Sequence, residues 1–211
     1  MANKLSKITL SAEELELVTN SGWIKTKQDI INKVICLFGA VHAAQHDLVL
    51  HEFGKPEAQS PFALSAKISR GEQYLGLPYV VLDFPRCFKN EEILAIRTIF
   101  WWGNFFSTQL LLHGAYKEKY KGRLLAGYEK LRDADFSLCV SDSPWHHHFE
   151  RNNFLPLREM TNHSFQQLLQ EKPFTKIGNR IGLNEWDSAE ERLTGGYKIL
   201  FRLLADQAPS R

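Results

Sequence analysis

The sequence predicts an α+β fold, an antiparallel meander sheet packed against a long N-terminal helix and a C-terminal helix. Three observations carry this. Apolar residues recur at helical spacing from Lys27 to His51. Residues 62–114 form short runs rich in aromatic and β-branched residues, broken by turn signals. Helical patterns return near the C-terminus, so helices bracket a block of strands rather than alternate with them. The 211 residues fit one domain, 1–211, and an apolar fraction of 44% supplies its core.

In chain order, Ser11-Ala-Glu-Glu14 has the spacing of a capping box and opens a short helix ending near Asn20–Gly22. In the long helix, Ile31, Val34, Ile35, Phe38, Val41 and Val49 form one stripe, with His42 inside it and His46 at its edge. Gly54 through Pro61 breaks the pattern. Strands are expected at Phe62–Ile68, Leu77–Phe84, Leu94–Trp102 and Phe105–His113. Tyr116–Arg132 reads as a mostly exposed helix. Phe136–Val140 and Trp145–Phe149 read as short strands, Thr161–Gln170 as a helix and Phe174–Leu183 as a last strand. Ser188-Ala-Glu-Glu191 opens a C-terminal helix to about Leu204, with Gly195-Gly196 weakening its middle.

Gly103-Asn104 has the composition of a two-residue hairpin turn. That register pairs Trp102 with Phe105, Thr98 with Gln109 and Leu94 with His113, and places Thr98, Ser107, Gln109 and His113 on one face. A buried face carrying such groups needs partners, water or a ligand to satisfy them. Asp83, inside an apolar run, reads either as a strand-end turn residue or as a pocket carboxylate paired with Arg86 or Arg97.

The histidines offer metal chemistry. His42 and His46 stand at i and i+4, and His113 or one of His146 and His148 could complete a three-histidine centre with an open position. His42 also fits a hydrogen-bonded core residue, and the triplet an ordinary polar strand. The rings of Phe100, Trp101, Trp102, Phe105 and Phe106 fit core packing, a ligand pocket, or base stacking with single-stranded nucleic acid. Lys117 to Arg123 carries four cations, but its interleaved Glu118 and Tyr120 indicate a solvated face. Glycine-rich nucleotide loops, nucleophile elbows and calcium loops are absent from the sequence. No pattern names a cofactor.

A net charge of +2 is too small to steer the chain onto nucleic acid or anionic lipid by bulk electrostatics. Cys36, Cys87 and Cys139 are odd in number and far apart, which fits a reducing compartment. The first residues lack an apolar signal core, and no run reaches the ~18 apolar residues of a membrane span. The expectation is a soluble cytoplasmic protein with no membrane partner, nucleic acid disfavoured and the oligomeric state open. Its leading function is to bind a small ligand between sheet and long helix, using His42, Thr98, Gln109 and His113. The alternatives are a metal-dependent enzyme using His42, His46 and His113, and a single-stranded nucleic-acid binder.

Overall fold

Ser11 opens the first helix as its spacing requires: its Oγ accepts the Glu14 amide, and the Glu14 carboxylate accepts the Ser11 amide. A computed structural model describes residues 8–89 and 91–205. Residues 1–7, read above as lacking a signal core, lie outside that range. So does Asn90, in the turn expected between strands. Helix α1 is Ala12–Thr19, and α2 starts earlier than the apolar stripe indicates, at Ser21, running to Phe53. Asn20 explains the early start by accepting the Gly22 amide through its side chain.

The strands are β1 (Lys67–Tyr74), β2 (Leu77–Lys89), β3 (Glu92–Trp101), β4 (Phe105–His113), β5 (Ser137–Cys139), β6 (Phe154–Pro156) and β7 (Phe174–Gly182). They form one antiparallel sheet in the order β1-β2-β3-β4-β7-β5-β6. The remaining helices are α3 (Ala115–Ala126), α4 (Tyr128–Asp133), α5 (Asn162–Glu171) and α6 (Ala189–Leu204). The fold is α+β, with the long N-terminal helix and the C-terminal helix packed on the sheet.

The main core lies under α2 and α6. The α2 stripe Ile31, Val34, Phe38, Val41, Gln45 and Val49 is buried. It meets Leu82 and Phe84 of β2, Phe100 of β3, and Phe106 and Leu110 of β4 in one cluster. Phe38 meets Phe106 edge-on, ring centroids 6.5 Å apart. By length and composition alone α2 is apolar enough to cross a membrane, which corrects the expectation that no segment is. Here its apolar stripe faces the sheet.

Four local departures have physical causes. Phe62 belongs to a single 3₁₀ turn, Pro61–Ala63, because Pro61 sets a helical φ and Ser60 Oγ caps the Phe62 amide. The helix expected over Tyr116–Arg132 breaks at Gly127, where a Cβ would stand 2.5 Å from the Leu203 side chain. It is also less exposed than expected, since Tyr120, Leu124, Tyr128 and Leu131 are buried.

The β3–β4 turn has three residues rather than two. Trp101 pairs with Phe105, and Gly103 takes φ +71° at the turn. The register therefore moves by one, and Thr98 faces Thr108 while Arg97 faces Gln109. Lastly, Trp145–Phe149 is not a strand: residues 140–153 carry no helix or strand.

Removing the Phe38 ring leaves a cavity at the centre of the α2–sheet contact. Phe38→Ala should lower unfolding stability by about 3–5 kcal/mol in urea titration. A loss under about 1 kcal/mol would show that α2 does not pack as described.

Candidate functional site

A strand has two faces, and β3, β4 and β7 turn their other set of side chains away from α2. Val81, Ile99, Trp101 and Phe105 form one small buried cluster there. Ile93, Leu111, Cys139, Phe154 and Phe174 form another. Phe149 joins them, stacked on Phe154 at 4.3 Å and edge-on to Phe105 at 5.3 Å. What lies over this face is the irregular segment 140–153.

Buried backbone that makes no ladder must find other partners. This segment finds side chains of the sheet and its own Asn153. Tyr74 Oη accepts the amides of His147 at 2.6 Å and His148 at 3.1 Å. Asn153 Nδ2 donates to the carbonyls of His146 and His148. Lys176 Nζ donates to the Pro144 carbonyl at 2.9 Å and to the His146 carbonyl. These contacts compete with a strand and win, which is why the triplet is not one.

At the centre sits a polar chain. Asp83 accepts Arg97 Nε at 2.7 Å and Nη2 at 3.0 Å, a two-point ion pair. Arg97 Nη1 lies 3.3 Å from His147 Nε2. An arginine only donates, so Nε2 is the accepting nitrogen and the imidazole proton sits on Nδ1. That proton faces Gln109 Oε1 at 3.0 Å. The Gln109 amide nitrogen then donates to Ser107 Oγ at 3.0 Å and to the His147 carbonyl at 3.3 Å. Gly178 makes room for Gln109, since a Cβ there would meet its Cγ at 2.9 Å.

Burial holds His147 well below the usual imidazole range, and the charges of Lys176 and Arg97 add to this. Lys176 is 1% exposed. Burial brings its amine down to about 7, with Arg97 pushing the same way. Cys139 is raised by burial. The site thus keeps a neutral histidine beside an amine poised near neutrality.

Beside this chain lies a cleft of about 240 Å³. Val81, Ile99, Trp101 and Phe105 line it together with Tyr74, Tyr79 and Trp145, and Arg97 and His147 line it as well. Gly71 lets the Tyr79 ring in, because a Cβ there would stand 2.5 Å from it. A second, much smaller cavity of about 10 Å³ touches Lys176, Gln109 and Phe88, and shares Arg97 and His147 with the cleft.

The residues named from sequence divide between the two faces. His42 and Thr98 lie on the helical side. His42 sits edge-on to Phe84 at 4.8 Å, and burial lowers its affinity for a proton. The Thr98 hydroxyl is buried there with no hydrogen-bond partner among the described residues. Gln109 and His113 lie on the opposite side, because the three-residue turn moves both by one place. His46 lies near His42, rings 6.1 Å apart, and the sheet separates both from His113. Among the described residues no group of three His, Cys, Asp or Glu side chains is arranged to hold a metal.

Of the rings offered for base stacking, Phe100, Trp101, Phe105 and Phe106 are buried and Trp102 is partly buried against the main core. Asp83 does pair with Arg97, one of the partners its sequence context offered. Lys176 and Tyr74 are site residues that the sequence pattern does not single out. A lysine between Thr175 and Ile177 in an apolar strand was the available signal for Lys176. No protein-family model and no curated protein matches the chain.

The depressed Lys176 fixes a pH dependence. Below about 7 folded and unfolded chains both hold its proton, so it contributes no slope. From about 7 to about 10 only the unfolded chain holds it, so stability rises with pH by up to ~1.4 kcal/mol per unit. Urea unfolding of wild type and Lys176→Met between about pH 7 and 9 measures this. Wild type should gain on the variant across the window. Parallel curves would mean an amine that titrates as in water.

Proposed function

We propose that the protein binds a small, flat ligand bearing an acceptor oxygen in the cleft on the loop-covered face of the sheet. The cleft carries this reading: its aromatic lining converges on the Arg97–His147 pair. Pockets of this kind combine an apolar lining with a few polar groups that orient the ligand. The volume is below the ~300–1,000 Å³ of drug-sized sites, so the ligand is about one ring in size. Asp83 occupies Nε and Nη2 of Arg97, which leaves Nη1 as the nitrogen nearest His147. Its second N–H suits a carboxylate or carbonyl oxygen.

The ligand thus sits across the sheet from the place first expected, with Gln109 in its support and His42 and Thr98 in the helical core. Cys36, Cys87 and Cys139 are unpaired thiols, which supports a reducing, cytoplasmic location.

Calorimetric titration with benzoate, nicotinate and 4-carboxybenzaldehyde tests the reading. At least one should bind, and Trp145→Ala should weaken it about tenfold, or ~1.4 kcal/mol. Trp145 is 49% exposed, so this variant should fold normally. No binding by any of the three, or binding indifferent to Trp145→Ala, would overturn the reading.

A further inference from the structure

We propose that Lys176 is an amine nucleophile that forms an imine with a small aldehyde or ketone taken up in the cleft. This rests on the ligand-binding reading and narrows its ligand class to carbonyl compounds.

The placement of the amine carries the inference. Lys176 rises from β7 on the loop-covered face and is buried, yet no carboxylate among the described residues pairs with it. Buried lysines normally need such a partner, because an isolated ammonium is costly away from water. Burial dominates here; Cys139 acts against it, and the like charge of Arg97 acts with it to favour the neutral amine. Desolvation beside a second cation is how lysines are activated as nucleophiles at neutral pH.

The hydrogen bonds agree with a neutral amine. A neutral amine has two N–H bonds and one lone pair. The carbonyls of Pro144 and His146 take two donors. In a third direction Nζ faces His147 Nδ1 at 3.3 Å, and that nitrogen carries a proton. The lone pair faces the side of His147, whose single Nδ1 proton goes to Gln109 Oε1, and His147 lines both the small cavity at Lys176 and the larger cleft. A carbonyl compound in the cleft reaches the amine when the His147 ring swings aside.

The step balances without a redox partner. The Nζ lone pair forms a bond to the carbonyl carbon, and the π electrons move to oxygen. Both amine protons transfer to that oxygen, which leaves as water, and a C=N bond remains. Arg97 lines the cleft and is placed to receive the developing charge on oxygen. A lysine serving only to pin the loop would hold the same two carbonyls but would not be trapped by a carbonyl reagent.

The test is reductive trapping of the wild-type protein with 4-carboxybenzaldehyde and cyanoborohydride at pH 7, read by peptide mapping. At that pH an amine titrating near 7 has a neutral fraction on the order of a thousandfold above that of an ordinary lysine. Lys176 should be modified at least about tenfold more than surface lysines, with benzoate competing. Lys176→Met should lose the selective label. Benzoate binding with only surface lysines labelled would overturn the imine and leave the cleft reading standing. Failure of benzoate, nicotinate and the aldehyde all to bind would remove both.

Discussion

The contact on which the second half of this structure depends is the one between His147 and the sheet. Arg97, Gln109 and Lys176 come from three neighbouring strands and converge on this imidazole and its own segment. Asp83 fixes the arginine, and the arginine fixes the histidine tautomer. The tautomer lets Gln109 Oε1 accept and its nitrogen donate onward. Every polar group in this chain has a partner, which is the condition for burying such a network without large cost. An irregular segment with few apolar residues is thereby held over one face of a sheet that would otherwise expose its rings.

The hairpin turn decides which groups reach that site. With three residues in the turn, Arg97, Gln109 and Lys176 share a face with Trp101 and Phe105. A two-residue turn would have carried Gln109 toward α2 and left Arg97 without its cross-strand neighbour. Gly103, at positive φ, is the residue that makes this turn geometry accessible. One residue of loop length therefore separates a hydrogen-bonded cluster from two stranded polar groups.

Much of the fold was legible because periodicity reports burial directly. The α2 stripe, the last three strands of the meander, β7 and α6 stand close to where the pattern places them, Ser11 caps α1 as its spacing requires, and β1 starts at Lys67 rather than at Phe62. The site was less legible. Asp83 with Arg97 could be read from an acid inside an apolar run. His147 could not, because its role comes from Tyr74 and Lys176, which are 73 and 29 residues away along the chain. The triplet resembles a strand until long-range side chains take over its backbone groups. Lys176 resembles an ordinary strand lysine until β4 and the 140–153 segment enclose it.

Imidazole nitrogen NMR, with His147 assigned by substitution, tests the central claim that this network holds His147 neutral. The proton should stay on Nδ1 from about pH 8 down to about pH 5, the range in which an ordinary histidine becomes charged. A titration midpoint near 6.5, or a proton on Nε2, would contradict the network that binds the segment to the sheet.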